Sequence, residues 1–583
     1  MLSDTRHSPE KKPQILLSSV FGPYARDDEY GSREINPMEL FHNQVTRVQG
    51  PFSLRMFHPS LGLKLIMENI NSPCTILDFP DLDRFIEELK SRSYDIIGIS
   101  SIYPNIGKVE KMCALIREYQ PHAAIVVGGH IANVPGISDR IDADHIVKGE
   151  GVRWFRKFLG EDEDAPIRHP AALSAFGARI LGIPLPGRRG DVAAILIPSV
   201  GCPMGCNFCA TSHMFGGKGK SVNFFETGDE LYSILCDLEK NLKARSFFVM
   251  DENFMLHKKR ALRLLELMVQ NNKIWTFSIF SSARVMGSYT DEQLVRFGIS
   301  WVWMGLEGEN SRYSKLDGID TRSLVRHLQS LGIRVLGSTI IGLEEHSPEN
   351  IPAAIDWAIS HNTVFHQFML YTPVAGTPLH EEHRKKGTLL SEDECPAADA
   401  HGQFRFNFRH PNFSNQQETD LLLAAFNRDF ETNGPSLLRL IRTMFSGWKN
   451  LKNHPDKHVR KRLRHECLLL KTSYAGALWA IKRWYRYDPR MFKEASDVLN
   501  EMYAEFGWKT VIAARIMGLF AFLCMKREHK KLARGWTYEP TTRYEDNAAR
   551  LALQLKQQRA SASSLVYDVL QPLAHVKAEA IKY

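Results

Sequence analysis

Three cysteines within a short glycine-bearing run constrain this chain more than any other feature. They are Cys202, Cys206 and Cys209, spaced C-x3-C-x2-C inside Ser199-Val-Gly-Cys-Pro-Met-Gly-Cys-Asn-Phe-Cys-Ala-Thr-Ser-His213. Three thiolates this close can hold one cubane iron–sulfur cluster and leave its fourth iron without a protein ligand, open to bind and activate a small molecule. A zinc site needs a fourth ligand, and His213 could supply it. A disulfide would leave one thiol over, and nothing marks the chain as secreted. The strand-like run Ala193-Ala-Ile-Leu-Ile-Pro198 before the loop and the aromatic Phe208 before the third thiol favour the cluster.

At 583 residues, the chain is long enough for two or three domains. The other six cysteines (Cys74, Cys113, Cys236, Cys395, Cys467, Cys524) are scattered, which fits a reducing cytoplasm. The N-terminus is polar and shows no signal peptide, and no run reaches the length of an uninterrupted transmembrane helix. The net charge is +8, but residues 441–540 hold 21 Lys+Arg against 9 Asp+Glu, so the remainder is net acidic.

Residues 13–160 alternate short β-branched runs with amphipathic stretches. Strands are expected at 14–20, 74–78, 95–101, 123–129 and 145–147, with helices between them. This pattern predicts a parallel, doubly wound, Rossmann-like sheet, which binds ligands at the C-terminal ends of its strands. Those ends carry Ser100, Ser101, Tyr103, Gly128, Gly129, His130, Gly149, Glu150 and Gly151. Small residues there admit a large flat ligand close to the backbone. A flavodoxin-like or nucleotide-binding domain shares the pattern.

A polar, proline-bearing linker covers 161–191, and βα units recur from 192 to 390. Six strand-like runs, at 193–198, 246–250, 276–281, 301–306, 334–341 and 365–370, predict a partial (β/α)6 barrel with its chemistry at the strand C-termini. Residues 391–583 lose the strand signal and read as mostly helical, with one long helix expected over 461–486. This region holds five of the ten tryptophans and the basic excess. Three readings fit it: a helical cap over the barrel, an interfacial membrane contact through 441–540, and a nucleic-acid surface, which is the least expected.

The cysteine loop resembles that of the radical S-adenosylmethionine (SAM) superfamily. The N-terminal sheet, with its Ser-Ser strand end, Val-Gly-Gly-His and Gly-Glu-Gly segments, is similar to the cobalamin-binding domain that precedes many such cores. The D-x-H-x-x-G motif of the wider cobalamin group is absent, which implies no lower-ligand histidine from that motif. The resemblance implies a 4Fe-4S cluster on Cys202, Cys206 and Cys209. It implies SAM contacts from Phe208, Asp251, Glu252, Asn253, Ser282, Arg284, Glu307, Ile341, Gly342 and Tyr371, and cobalamin contacts from the nine residues at the first sheet's edge.

The activity it implies is methyl transfer from methylcobalamin to an unactivated carbon by way of a 5′-deoxyadenosyl radical. The electron donor would be of flavodoxin or ferredoxin type. Val249-Met-Asp-Glu-Asn-Phe254 and Tyr371-Thr-Pro-Val-Ala-Gly-Thr-Pro378 look like hopanoid and other lipid-acting methylases, so a lipid or isoprenoid substrate is expected, in the cytoplasm or on the inner membrane face. Oxidative cyclisation without methyl transfer is the alternative within the enzyme class, and a cobalamin-binding sensor is the alternative outside it. A methylthiotransferase would need a cysteine-bearing N-terminal domain, which is not seen.

Alanine at any one of Cys202, Cys206 or Cys209 is expected to remove the visible cluster absorbance that forms on anaerobic reconstitution with iron and sulfide. Alanine at Cys236 should leave that absorbance in place.

Overall fold

The computed structural model describes residues 12–22, 59–174, 192–309, 318–414, 417–534 and 542–554, with 179–180, 183–184 and 316 besides. Expectations for the linker segment 185–191 and for the C-terminal stretch beyond 554 lie outside the described residues.

The N-terminal domain begins with β1 (Ile15–Ser19), α1 (Leu61–Asn69), β2 (Cys74–Asp78), α2 (Leu82–Ser91) and β3 (Ile96–Ser100). It continues with α3 (Ile106–Tyr119), β4 (Ala124–Gly128), β5 (His145–Ile146) and α4 (Gly151–Phe158). β1 to β5 are parallel, in the order β2-β1-β3-β4-β5. β1 and β2 are buried on both faces, with the polar residues Ser18, Ser19, Thr75 and Asp78 buried along with their apolar neighbours. Helix ends are set locally: the Asp81 carboxylate accepts the Arg84 N–H, and Glu150 accepts from Arg153 N–H at 3.1 Å.

The second domain is an open, all-parallel sheet whose six strands stand in chain order. They are β6 (Ala194–Leu196), β7 (Ser246–Val249), β8 (Thr276–Phe280), β9 (Ile299–Glu307), β10 (Arg334–Ile341) and β11 (Phe365–Leu370). The crossover helices are α5 (Gly228–Leu242), α6 (Lys258–Gln270), α7 (Asp291–Phe297), α8 (Thr321–Ser330) and α9 (Ile351–Ile359). Capping boxes start α5 (Thr227 with Glu230) and α7 (Thr290 with Gln293). Helix α10 (Pro378–Lys386) follows the sheet.

The C-terminal helices are α11 (Gln417–Asn433), α12 (Ser436–Leu451), α13 (Lys457–Glu466), α14 (Ser473–Trp484), α15 (Pro489–Phe506) and α16 (Trp508–Leu532). The single helix expected over 461–486 is instead two, broken by a 3-10 turn at Cys467–Lys471. That break turns Cys467 and Leu470 into the core shared by the bundle.

Three expectations need correction. First, the bundle does not cover the barrel's active end. Its core takes in Leu336, Val364 and Phe365, at the starts of β10 and β11, and Gly447 abuts Gly332 just before β10. The helices therefore close the N-terminal end of the barrel, the end opposite a strand-C-terminal site.

Second, α16 is 25 residues long, and over Trp508–Lys531 it is long and apolar enough to cross a membrane by length and composition. Glycines let one of its faces cross α14 closely: a Cβ on Gly476 would meet Met517 Cβ at 2.6 Å, and one on Gly518 would meet the Trp479 ring at 2.6 Å. Its other face leaves Ile512, Ile516, Leu519, Phe520 and Leu523 exposed.

Third, residues 543–554 leave the helical region altogether. β12 (Arg543–Asp546) pairs antiparallel with β2 and completes the N-terminal sheet as β12-β2-β1-β3-β4-β5. The sequence hides this strand because Arg-Tyr-Glu-Asp is polar, as suits an edge. Asn547 locks it: its Oδ1 accepts the Cys74 N–H at 2.9 Å and its Nδ2 donates to Ser72 O at 3.0 Å.

Asn547→Ala strands these buried backbone groups and should cost about 1–3 kcal/mol. The check is a lowered urea midpoint followed through the N-terminal domain, with amide exchange speeding up at Cys74.

Candidate functional site

The cysteine loop leaves β6 through Ser199 and returns into the helical turn Ala210–Met214. It is held from all sides. Ser212 Oγ donates to Cys202 O at 2.6 Å, Cys209 N–H to Cys206 O at 3.0 Å, and Gly219 N–H to Pro203 O at 2.8 Å. Two glycines are obligatory. Gly201 has φ +84°, and a Cβ there would lie 2.6 Å from Phe215 Cβ; Gly205 has φ +66°, and a Cβ there would lie 2.5 Å from Lys218 Cβ. His213 Nε2 lies 3.2 Å from Cys206 O, so the histidine braces the loop backbone instead of completing a zinc site. Among the described residues, no three His, Cys, Asp or Glu side chains gather around one metal position. A cubane suits this loop better, because its thiolates bind different irons and must stand apart. None of the nine cysteines forms a disulfide, and burial pushes the Cys202 thiol up to about 11.

The three cysteines open on a cavity of about 400 Å³ at the C-terminal ends of the strands. Phe208, Glu252, Asn253, Ser282, Glu307 and Tyr371 line it, as expected. Glu252 Oε2 is buried there without a hydrogen-bond partner. Burial, with the neighbouring Asp251 charge adding to it, raises its carboxyl to about 7. A carboxylate at the cavity edge beside three thiols, held by backbone hydrogen bonds from Gly201 and its own N–H and with one oxygen unpaired, suits a bound ammonium group. Asn253 ties the ends of β7 and β8: its Oδ1 accepts from Ser281 Oγ at 3.1 Å and Ser282 N–H at 3.2 Å.

Four expected residues do not line this cavity. Asp251 lies beneath it, with its carboxylate bound to Arg260 Nη2 at 2.8 Å, to the Ser199 hydroxyl and to Asn253 N–H at 3.0 Å. Arg284 is exposed, on the short helical turn Ala283–Met286. On β10 the alternation of side chains puts Ser338 and Ile340 inward and Ile341 into the core behind. A Cβ on Gly342 would meet Phe406 Cζ at 2.5 Å, so that glycine serves packing. Cavity residues the sequence did not single out include Trp303, Met369, Thr372, His401 and Gly402. Several follow from the inward period of β9 and β11, but His401 and Gly402 come from a loop after the barrel and carry no local signal.

A second cavity, of about 190 Å³, lies in the N-terminal domain between α1, β3, β4 and α4. Ser100, Gly128, Gly129, Gly149, Glu150 and Gly151 line it, all expected. A Cβ on Gly62 or Gly149 would meet no atom within 4 Å, and one on Gly128 only Val147 O at 3.9 Å, so these glycines leave room for an occupant. Gly129 is required for another reason: with φ +88°, its Cβ would lie 2.4 Å from Ser101 O. Ser101, Tyr103 and His130 do not line this slot. Tyr103 donates to Glu392 Oε1 at 3.0 Å, and His130 Nε2 lies 3.3 Å from Thr211 Oγ1, bridging the domain to the turn behind Cys209. Val200, Met214 and Phe215 form the slot's far wall. Residues 200–215 thus separate two cavities, with thiols on one side and an apolar slot on the other.

The B12 binding domain family matches residues 53–159, so the N-terminal sheet is a B12-binding domain. An uncharacterized methyltransferase of Pyrococcus horikoshii is 24% identical over 350 residues, which is 54% of this chain and 74% of that one. The hopanoid C-2 methylase of Rhodopseudomonas palustris is 23% identical over 317 residues, 51% of this chain and 59% of that one. The radical S-adenosylmethionine methyltransferase TsrM of Kitasatospora setae, solved with cobalamin and a 4Fe-4S cluster bound, aligns at a TM-score of 0.45 and 16% identity, over 77% of this chain and 99% of that one. The chain thus joins a segment matched by the B12 binding domain family to a three-thiol loop that opens onto a parallel βα sheet, and over about half its length it is similar to the two methylating enzymes named first.

Two neighbouring acids are expected to behave differently. Glu252→Gln should weaken SAM binding about tenfold or more and leave stability near wild type. Asp251→Ala should instead destabilise the chain by about 3–5 kcal/mol, because Arg260 is left buried and unpaired. SAM titration by calorimetry, set beside thermal unfolding, separates the two.

Proposed function

We propose that this protein is a cobalamin-dependent radical SAM methyltransferase that transfers a methyl group to a carbon of an apolar, lipid- or isoprenoid-class substrate. One observation carries the reading: a single loop, residues 200–215, walls both a thiol-lined cavity and the slot of a B12-binding domain. Two cofactors placed across one wall can act on one substrate carbon.

Cys202, Cys206 and Cys209 would hold the cluster, and Glu252 would receive the SAM ammonium, with Asn253, Ser282, Glu307 and Tyr371 around the rest of the molecule. The glycines at 128, 149 and 151 and Ser100 would seat cobalamin. Once bound, the cofactors would supply a carbon-centred radical and a methyl donor, which is what an unactivated sp3 carbon requires. The chain's part is to orient and to exclude water: Phe280, Trp303, Met369 and Val374 give the barrel cavity apolar walls. These walls and the hopanoid-methylase relative support an apolar substrate. Electrons would come from a flavodoxin- or ferredoxin-type donor.

The exposed face of α16 supports a peripheral membrane contact. Ile516 is 66% and Phe520 55% exposed, and Lys509, Arg515, Lys526, Arg527, Lys530 and Lys531 flank the apolar stripe, a combination suited to anionic lipid. This contact would tether the protein, since the bundle lies at the barrel end away from the cavity.

The test is anaerobic. The protein is reconstituted with iron, sulfide and cobalamin and given reductant, SAM and a crude lipid extract. Formation of 5′-deoxyadenosine and S-adenosylhomocysteine, with a lipid gaining one methyl mass, is the expected result. Deoxyadenosine alone would favour cyclisation, and neither product would favour a sensor. Separately, the protein should float with anionic liposomes, and a double Ile516→Glu, Phe520→Glu variant should stay in the dense fraction.

A further inference from the structure

Helix α1 is short for the work it does. Its nine residues fall below the length of about 12–15 at which isolated helices become stable in water, and its N-cap Ser60 makes no side-chain capping bond to it. Yet one face of α1 forms a wall of the slot in the B12 domain: Gly62, Leu63, Leu65 and Ile66 all line that cavity. The helix fits closely there, since a Cβ on Gly151 at the start of α4 would lie 2.9 Å from Ile66 Cδ1. A wall of this kind must be held in place by other parts of the chain.

Three arginines hold its C-terminal end, where the last carbonyls of a helix have no partner within the helix itself. Arg168 Nε donates to Glu68 O at 2.8 Å, and Arg156 Nε donates to Asn69 O at 2.9 Å. Arg550 Nη2 donates to Met67 O at 2.8 Å and to Ile70 O at 2.7 Å. The first two arginines lie within about a hundred residues of the helix in sequence. Arg550 comes from the other end of the chain, in the helical segment that follows β12 and Asn547. Its Nε also stands 3.7 Å from Glu68 Oε2, and Glu545 on β12 pairs with Lys64. Lys64 and Glu68 are four residues apart and share one face of α1, opposite the face that carries Gly62, Leu63, Leu65 and Ile66. The helix is therefore held between the slot and residues 543–550, none of which lines the slot.

We propose that residues 543–550 form a strap that keeps α1 in place as the wall of the slot, with Arg550 as its positioning residue, so that the grip on cobalamin depends on a segment that never touches it. The inference rests on the slot being the cobalamin site. Hydrogen bonds from a guanidinium are charge-assisted and among the stronger ones, and losing two of them frees the end of α1 to move off the slot. Strap and slot act on opposite faces of one helix, so each favours the other: cobalamin that fixes α1 also steadies the strap.

The test uses the full chain with hydroxocobalamin as the probe. Release is followed after dilution by rapid gel filtration, and amide exchange is read by mass spectrometry with and without the cofactor. In wild type, bound hydroxocobalamin should slow exchange over residues 543–550. Arg550→Met keeps the aliphatic stem and removes the donors. It should release hydroxocobalamin about tenfold faster or more, with exchange speeding up over α1 but not over β3 and β4, and with the reconstituted cluster absorbance at the wild-type level. Release at the wild-type rate overturns the proposal, and so does faster release accompanied by faster exchange over β3 and β4, which marks a general loss of the fold. Should the variant fail to fold, wild type decides, because exchange over 543–550 that ignores hydroxocobalamin overturns the proposal by itself. A wild type that binds no hydroxocobalamin removes the cobalamin reading of the slot, and the strap's role with it. The methyltransferase reading fails separately, on the absence of S-adenosylhomocysteine from the wild-type reaction.

Discussion

The site depends on one buried carboxylate. Asp251 sits at the end of β7, 4% exposed, and binds groups from three parts of the chain: Arg260 on α6, the Ser199 hydroxyl where the cysteine loop begins, and the Asn253 N–H that turns the next segment toward the cavity. Arg260 in turn donates to Phe225 O at 3.1 Å, on the segment that follows the loop. A carboxylate and a guanidinium removed from water together hold each other in place, because neither can move without leaving a bare charge. The entry and exit of the cysteine loop are thus referenced to one point in the barrel. Glu252, one residue further, has no such partner for Oε2, and that difference divides the two acids into a scaffold and a ligand-facing group.

The loop's position has a second consequence. Its inner side presents the thiols and its outer side, through Val200, Met214 and Phe215, closes the slot of the B12 domain. A shift of the loop would alter both cavities together. The glycines at 201 and 205 and the His213 brace make such a shift expensive. The segment after β11 adds a second connection between the domains: Glu392 receives the Tyr103 hydroxyl and pairs with Arg140, and Gly376 leaves room for the Asn133 backbone.

Much of this was legible in the sequence, for definite reasons. Strands such as Arg334–Ile341 and Phe365–Leu370 are readable to the residue because β-branched or aromatic residues recur in each and turn residues bound them, Gly332 and Gly342 around the first, Asn362 and Pro373 around the second. The cysteine triad and the Gly-Gly and Gly-Glu-Gly turns carried their chemistry locally. What was not legible depends on tertiary placement. Asp251 and Glu252 are adjacent acids with no sequence cue to tell which one turns inward. The sequence points to Ile341, not Ile340, because strand phase on β10 depends on the core behind it. The bundle's side of the barrel is decided by Leu336, Val364 and Phe365 at the strand starts, and no periodicity in the bundle itself reports that. His401 lies in irregular chain, and only the cavity gives it meaning.

The late strand β12 has a consequence for how the protein comes to exist. Cys74 and Asn547 are 473 residues apart, yet they share a hydrogen bond that finishes the first sheet. At ribosomal speeds of roughly 5–20 residues per second, β2 would wait about 25–95 seconds for its neighbour. Through that interval the first domain presents an open strand edge while the barrel and bundle are still being made. A sheet edge left unpaired for that long is an invitation to wrong partners. The cell's means of shielding nascent chains therefore bear on the yield of this protein as directly as does the supply of iron or cobalamin.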